Sequence, residues 1–339
     1  MDESVTVNTK RSRPVFALTL GDPAGIGPEI ACKALKNKKI MSEVAVVGSL
    51  DVLQKTSENM GFTLPFHTIT TTADFTVDAV NIFDCGMPLP GTWQTGRVQA
   101  ECGRAAFTYI KKAIDMALAG ELDGVITNPI NKESLHAAGI NYPGHTEIFA
   151  EKTGTDRYAM LFLLNGIGVA HVTTHCSLRQ AIDLVTAGRV SETIRLVTAT
   201  MKNLGIRNPR IAVGGLNPHA GENGLFGTEE IEHIRPAIAA AREEGIDVTG
   251  PYPPDTVFMR AFKGEFDGVV AMLHDHGFVA LKSKDFEHGV NITVGLPIIR
   301  TSVGHGTAFD IAGKGIASPE SLLSAISAAE RLYLSGAGK

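Results

Sequence analysis

"LTLGDPAGIGPEI", residues 18–30, runs from an apolar stretch through three glycines and two prolines into the start of a helix. Glycines let the backbone approach a ligand closely, and a helix that begins at Pro28 directs unpaired N–H groups toward it. The spacing of Gly21, Gly25 and Gly27 differs from the dinucleotide fingerprint G-x-G-x-x-G, and no Lys-Ser or Lys-Thr follows as in a P-loop. The stretch therefore predicts a tight strand-to-helix turn. This turn either has no ligand or lies beside a ligand that contains phosphate.

The rest of the chain alternates short apolar runs with longer helix-period stretches. The apolar runs predict strands buried on both faces: "VFALTL", "VAVVG", "LDGVIT", "GVAHVTT", "RIAVGGL" and "FDGVVAML". Three clear helices are "GRAAFTYIKKAIDMALAG", "SETIRLVTATMKNLG" and "SPESLLSAISAAERLYLSG". Buried runs separated by helices are typical of a parallel or mostly parallel sheet. No segment reads as a linker, so we predict an α/β protein of two interleaved lobes.

The composition excludes several classes of partner. The 339 residues are 44% hydrophobic and 20% charged with a net charge of −5, so we expect neither a nucleic-acid nor a membrane partner. The 4 cysteines are scattered without a C-x-x-C pair, which predicts reduced thiols in a cytoplasmic protein. The polar start "MDESVTVNTKRSRP" predicts a frayed tail up to about Pro14, not a signal peptide.

Three apolar runs lead into histidines, at His175, His219 and His274. Ligands of open α/β sheets bind at the carboxyl ends of strands, so three imidazoles there predict a divalent-metal site. Zinc, cobalt, manganese and iron all accept imidazole. The alternative is three unrelated loop histidines. Candidate partners that orient the rings are Asp275, His276, Asn217 and Glu222.

A second set of residues suits an anionic substrate. "NYPGHTEIF" places His145 and Thr146 at the start of a predicted helix, where N–H groups favour an anion. Lys282, Asn291 and Arg300 add charge and a two-pronged donor for phosphate or carboxylate. Each residue alone is more typical of a solvated surface charge or a helix cap. Together they predict a small acid as ligand.

The two ends of the chain resemble one enzyme group. "VGHGTAFDIAGKGIASPESLL" (303–323) resembles the coenzyme loop of isopropylmalate and isocitrate dehydrogenases, and "GDPAGIGPE" resembles their "GDGIGPE" turn. The middle motifs are similar to the 4-hydroxythreonine-4-phosphate dehydrogenase family of vitamin B6 (pyridoxine) synthesis. They are "YPGHTE", "TTHCSLR", "GLNPHAGENGLFG", "PPDTVF", "LHDHG" and "GVNITVGLPIIRTS".

This resemblance implies an isocitrate/isopropylmalate dehydrogenase-like fold with a cleft between two lobes. The implied cofactor-side lobe is 14–135 plus 305–339, and the implied metal, substrate and dimerisation lobe is 136–304. A homodimer would share the active site between its subunits. His175, His219 and His274 would carry one divalent ion (zinc, cobalt, manganese or magnesium), with one histidine reaching over from the partner.

The resemblance also implies a reaction and a set of binding residues. His145, Thr146, Lys282, Asn291 and Arg300 match the family's substrate-binding positions. The implied chemistry is NAD(P)-dependent oxidation of a secondary alcohol β to a carboxylate, followed by loss of carbon dioxide from the β-keto acid. The ion would stabilise the alkoxide and then the enolate. Asp255, Lys132 and Asp275 remain alternative candidates for the base.

The coenzyme residues implied by the loop are Gly306, Thr307, Ala308, Asp310 and Ile311. Asp310 aligns with the acid that accepts hydrogen bonds from the adenosine ribose, and a carboxylate there would repel a 2′-phosphate. The sequence therefore predicts NAD over NADP. Two departures, His276 where the motif usually has glutamine and Gly304 where it has an acid, leave the exact substrate open.

Several functions stay open on the sequence. Some segments are similar to the branch that acts on 4-phospho-D-threonate or 4-phospho-D-erythronate. Others are similar to the branch that acts on terephthalate dihydrodiols, which lacks the His-Thr and Arg positions present here. The expected substrate is therefore phosphorylated, either 4-phosphooxy-L-threonine or one of the two phosphorylated aldonates. A three-His metallohydrolase and a ligand-binding protein without turnover are the alternatives of other classes.

Overall fold

The computed structural model describes residues 13–41, 43–61, 63–86, 93–285 and 287–338. Most of the tail expected before Pro14 lies outside these residues. The strands are β1 Phe16–Thr19, β2 Val44–Gly48, β3 Phe66–Thr68, β4 Val80–Asp84, β5 Val125–Thr127, β6 Ala159–Leu164, β7 Ile167–His171, β8 Ile211–Gly214, β9 Val248–Tyr252, β10 Gly268–Ala271, β11 Val290–Val294 and β12 Arg300–Val303.

The helices lie between these strands. They are α1 Gly27–Leu35, α2 Lys38–Met41, α3 Leu50–Asn59, α4 Ala100–Leu118, α5 Lys132–Ala137, α6 His145–Lys152, α7 Leu178–Leu184, α8 Ala187–Asn203, α9 Arg235–Glu243, α10 Val257–Phe262, α11 His274–Lys284 and α12 Glu320–Leu334. A short 3₁₀ segment spans Thr72–Asp74, a 3₁₀-like turn spans Pro218–Gly224, and a π-helical turn spans Glu230–Ile234.

The described strands form one sheet in the order β3-β4-β2-β1-β5-β12-β11-β6-β7-β10-β8-β9. The pairings are parallel except β12 with β11, β11 with β6, and β6 with β7. The α/β class and the mostly parallel sheet are therefore confirmed. The predicted set lacks β3, β4, β6, β9, β11 and β12. It also gives no strand directions, because an apolar run indicates burial and not direction.

The sheet is continuous across the middle of the chain. Strands β1 to β5 and β12 form one half, and β6 to β11 form the other. The chain returns to the first half through β12, which pairs with β5. The proposed lobes, 14–135 with 305–339 and 136–304, stay a prediction. Within the described residues, none of the helices is long and apolar enough to cross a membrane.

The opening stretch forms the predicted turn into a helix. Strand β1 ends at Thr19, and α1 begins at Gly27 with Pro28 in its first turn. Gly21 has φ +71°, which favours glycine, and a Cβ on Gly25 would lie 2.9 Å from the Cβ of Thr307. The glycines therefore serve a left-handed bend and a close approach to the C-terminal loop.

Candidate functional site

A row of polar side chains crosses the middle of the sheet on one face. Thr19 lies opposite Thr127, Thr127 opposite Ser302, and Ser302 opposite Asn291. Residues in register on neighbouring strands point to the same face. The Oγ1 of Thr19 and the Oδ1 of Asn291 are buried without a hydrogen-bond partner within the described chain. The centre of the sheet is thus polar on a face where an apolar surface would be usual.

Arg300 lies next to this row and is only 3% exposed. Its Nη1 donates to the Oγ1 of Thr293 at 2.9 Å, and its Nη2 donates to the Oγ1 of Thr127 at 2.8 Å. Burial lowers the pKa of Arg300 to about 9, although Glu147 acts to raise it. Both bonded partners are neutral hydroxyls, and Nε is buried without a partner among the described residues. This guanidinium is therefore suited to an anion that the chain itself does not supply.

Helix α6 directs its first turn at the same place. His145 is its first residue, as the sequence predicts, and Thr146 follows. Burial, with the charge of Arg300, holds the pKa of His145 well below its usual value, so the ring is neutral. Its Nε2 is buried with no hydrogen-bond partner in the described part of the chain. Because buried polar atoms are normally satisfied, these unsatisfied groups indicate a small polar ligand.

Helix α11 carries two aromatic rings and one cation on the same face. His274, Phe278 and Lys282 are four residues apart, so they share one helix face. The ring of Phe278 lies 4.5 Å from that of His274, and the Nζ of Lys282 lies 5.2 Å from the Phe278 ring. His171 stacks on Phe278 at 4.7 Å, and burial lowers its pKa to about 3. Sequence reasoning did not place His171 or Phe278 in the site, although Phe278 contacts the His274 ring and His171 stacks on Phe278.

Each of the three candidate metal histidines has a carboxylate beside its Nδ1. The pairs are His175 with Glu147 at 3.4 Å, His219 with Glu222 at 2.8 Å, and His274 with Asp275 at 2.7 Å. A carboxylate accepts the proton of Nδ1 and leaves Nε2 as the free lone pair, which is how second partners orient metal-binding imidazoles. The donor chemistry therefore fits a divalent ion. Glu222 and Asp275 were anticipated as ring partners, whereas Glu147 was not.

The three histidines do not come together within one chain. The rings of His175 and His274 lie 6.0 Å apart. His219 instead contacts Phe226, and its side chain is 60% exposed. Among the described residues, no group of three His, Cys, Asp or Glu side chains is arranged to hold a metal ion. One chain thus supplies a pair of neighbouring imidazoles, and the third candidate is not grouped with them.

His219 lies in an unusual backbone segment. Positive φ values of 41° to 76° occur at His219, Ala220, Gly221, Glu222 and Asn223. A left-handed helical conformation costs roughly 1–2 kcal/mol for each residue that has a Cβ. The four non-glycine residues thus carry on the order of 4 kcal/mol or more of strain, which the surrounding structure must offset.

The candidate bases lie in two places. Lys132 begins α5. Burial acts to raise the pKa of Glu147, but the bond with His175, a backbone hydrogen bond and the charges of His175 and Lys132 together lower it. Asp255 and Asp275 line a groove beside His276. Asp275 is already hydrogen-bonded to His274.

The C-terminal loop packs against the opening stretch. The backbone N–H of Ile26 donates to the carbonyl of Thr307 at 3.0 Å. Glu29 accepts the N–H groups of Ala317 at 2.8 Å and Gly315 at 3.2 Å, and it pairs with Lys33 at 2.9 Å.

The coenzyme residues expected from the sequence are spread over this loop. Thr307 is buried against Gly25 and Ile26, which directly precede α1, and Gly306 and Asp310 are exposed. Ile311 donates its N–H to the carbonyl of Ala308. Ala308 has φ +41°, a left-handed conformation that is rare for alanine.

The fold and site define an α/β protein in which a buried guanidinium and unsatisfied polar atoms lie near a pair of imidazoles. Residues 40–329 match the family model described as pyridoxal phosphate biosynthetic protein PdxA. The D-threonate 4-phosphate dehydrogenase of Pectobacterium atrosepticum is 46% identical over 94% of this chain and 99% of its own. The 4-hydroxythreonine-4-phosphate dehydrogenase of Beijerinckia indica is 48% identical over 94% of each chain.

The fold of a solved relative agrees. The crystal structure of 4-hydroxythreonine-4-phosphate dehydrogenase from Klebsiella pneumoniae superposes with a TM-score of 0.85 at 44% identity, covering 96% of this chain and 99% of that one. The chain belongs to the PdxA family. The family resemblance and the enzyme class expected from the sequence, an oxidoreductase acting on a CH–OH group, are thereby confirmed.

Proposed function

We propose that this protein is an NAD-dependent, divalent-metal-dependent dehydrogenase of a 4-phosphorylated threonate-type acid. The observation that carries the proposal is the buried guanidinium of Arg300, which has only neutral hydroxyls as bonded partners beside the unsatisfied His145 Nε2. A phosphate or carboxylate supplies the missing negative charge. The relatives are named as dehydrogenases of D-threonate 4-phosphate and of 4-hydroxythreonine-4-phosphate, and these names support the same class of substrate.

The proposed reaction removes a hydride and a proton from the secondary alcohol, and the β-keto acid then loses carbon dioxide. His145, Thr146, Lys282, Asn291 and Arg300 bind the substrate in this proposal. A divalent ion on His175, His219 and His274, when bound, supplies Lewis-acid stabilisation of negative charge on the substrate oxygen. A base takes the hydroxyl proton, and Lys132, Asp255 and Asp275 remain the candidates.

We further propose that the metal site is shared by two subunits of a homodimer. In this arrangement His175 and His274 come from one protomer, and His219 comes from its partner. The support is that His219 stands on an exposed turn, away from the pair that lie 6.0 Å apart.

A coenzyme experiment tests the reaction. The purified protein is incubated with 4-phosphooxy-L-threonine, 4-phospho-D-threonate, 4-phospho-D-erythronate or an aromatic cis-dihydrodiol carboxylate, with NAD or NADP, with and without chelator. NADH formation from a phosphorylated acid that stops with chelator supports the proposal. Turnover that survives metal removal contradicts the role of the metal. Equal turnover with NADP contradicts the assignment of Asp310 to NAD selection. Product without coenzyme indicates a hydrolase, and reduction only with the dihydrodiol indicates the other branch.

A mixing experiment tests the shared site. His175→Ala and His219→Ala are each expected to be inactive. After subunit exchange at equal amounts, half of the dimers are mixed, and each mixed dimer holds one intact set of three histidines. About one quarter of the wild-type activity is therefore expected to return, because symmetric dimers exchange subunits statistically. No recovery, despite exchange shown by a mass-tagged subunit, refutes the sharing.

A further inference from the structure

The carboxylate of Glu230 anchors the left-handed turn that carries His219. Glu230 is 1% exposed and lies in the π-helical turn that precedes α9. Its Oε1 accepts the N–H groups of Leu216 at 2.7 Å and Asn217 at 2.8 Å. Its Oε2 accepts the side-chain amide of Asn217 at 2.9 Å. The two residues that lead into the turn are thus fixed by three hydrogen bonds to a single charged group.

The glycines around Glu230 show how closely the turn is fitted to it. A Cβ on Gly221, where φ is +76°, would lie 2.6 Å from Oε2 of Glu230. A Cβ on Gly215 would lie 3.0 Å from Oε1. The carboxylate therefore occupies the space directly beneath the turn, and no side chain fits between them.

The left-handed turn sets the orientation of the His219 ring. The Nδ1 of His219 forms a hydrogen bond with the carboxylate of Glu222. The ring of Phe226 packs edge-on against the His219 ring, with 6.0 Å between the ring centroids. Glu222 reaches the ring only because both residues lie in the same left-handed turn, three positions apart. If the turn relaxes to an ordinary conformation, the orientation of the ring and the position of its Nε2 change together.

We propose that Glu230 is a positioning residue that maintains this turn and so presents the Nε2 of His219 to the metal site. The inference rests on the proposed shared metal site. Glu230 itself touches neither substrate nor ion. A purely structural role for Glu230 predicts a loss of stability across the whole fold. The positioning role predicts a local opening of residues 218–226 together with weaker metal binding.

The variant Glu230→Gln tests the proposal. Glutamine keeps one acceptor oxygen, but its amide donor faces the amide of Asn217, so the third hydrogen bond is lost. Glu229→Gln is the matched control, because Glu229 is adjacent and accepts a single bond from Asn217 at 2.7 Å. Gly221→Ala is a second variant that leaves the carboxylate in place and forces the turn away from it.

Three measurements are made on the full-length protein: backbone hydrogen exchange by mass spectrometry, the urea midpoint, and affinity for Co²⁺ from its visible absorption. For Glu230→Gln and Gly221→Ala we expect exchange at 218–226 to rise at least about tenfold, with β8 unchanged. Loss of a ring-orienting contact typically weakens metal binding by about 10–100-fold, and we expect Co²⁺ affinity to fall by at least the lower figure. The control is expected to change each quantity by less than about threefold, because the bonds from the N–H groups of Leu216 and Asn217 to Glu230 stay in place when Glu229 is changed.

The outcomes separate this inference from the proposed function. Unchanged exchange at 218–226 in both variants overturns the anchoring role of Glu230. Faster exchange with unchanged Co²⁺ affinity overturns the presentation of His219. If His219→Ala also leaves Co²⁺ affinity unchanged, the shared metal site itself is wrong, and the presentation of His219 to it is overturned as well.

Discussion

Replacing Asp22, in the stretch 18–30, by asparagine is expected to make the protein more stable. Asp22 is fully buried, and its Oδ1 accepts the N–H of Ala24 at 2.9 Å. Its Oδ2 is buried without a geometric hydrogen-bond partner within the described residues. Burial raises the pKa of Asp22 from 3.8 to about 6, although the bond from Ala24 and the nearby Ser134 act to lower it.

The sign of the effect follows from this raised pKa. The contribution of Asp22 to stability is fully present below pH 3.8, and it is lost as the pH rises through about 6. The difference between the two pKa values corresponds to about 3 kcal/mol at pH 8, since one pKa unit is about 1.4 kcal/mol. Asp22→Asn retains an acceptor for Ala24 and carries no charge. We expect it to be more stable than wild type by about 1–3 kcal/mol at pH 8, less any cost of a poorly bonded amide.

Urea unfolding at pH 4.5 and pH 8 measures this difference, with the protein concentration held constant because self-association alters apparent stability. The gain of Asp22→Asn over wild type should be about one third as large at pH 4.5 as at pH 8. Asp115→Asn, which changes an exposed carboxylate on α4, is the matched control and should follow wild type. A stability difference that is the same at both pH values would show that burial does not raise the pKa of Asp22.

Three further predictions concern the coenzyme loop, the anion pocket and the thiols. Glu29→Gln loses charge on the bonds to the N–H groups of Gly315 and Ala317, so we expect NAD to bind about 5–10-fold more weakly by calorimetry while the far-UV spectrum is unchanged. A coenzyme Kd equal to that of wild type contradicts a role of this contact in the loop. Arg300→Ala should raise KM for the phosphorylated acid about 100-fold or more and change kcat less, whereas an unchanged KM would remove Arg300 from the substrate site. Burial raises the pKa of Cys32 and of Cys102 to about 12, so neither thiol should react with iodoacetamide at pH 8 until urea is added, as measured by mass spectrometry.

Local sequence patterns identified much of the fold because they reflect burial. The runs around Phe16, Val44 and Val125 are apolar along their length, and each forms a strand covered on both faces. Helix α6 begins at His145 and α12 runs from Glu320 to Leu334, close to the segments expected from their start and stop signals. The antiparallel direction of β6 and β11 could not be read, because direction depends on connections and not on residue pattern.

The candidate site was only partly accessible to sequence reasoning. Arg300 and His145 stand out as charged or polar residues beside apolar runs, and both were expected to bind substrate. The hydrogen-bond partners of Arg300, which are Thr127 and Thr293, were missed, because threonine in a strand usually signals only the strand itself. Glu147 had one available signal, its place directly after His145 and Thr146, but its contact with His175 joins residues 28 positions apart.

The sequence by itself determined the α/β class, the turn and helix of the opening stretch, and the types of side chain available for chemistry. These follow from local periodicity, glycine conformation and residue identity. The tertiary structure decided that Arg300 has only neutral bonded partners, that Asp22 is buried, and that His219 is not grouped with His175 and His274 among the described residues. The reason is that burial, pairing and charge balance depend on which distant strands become neighbours, and strand order is not written in any single segment.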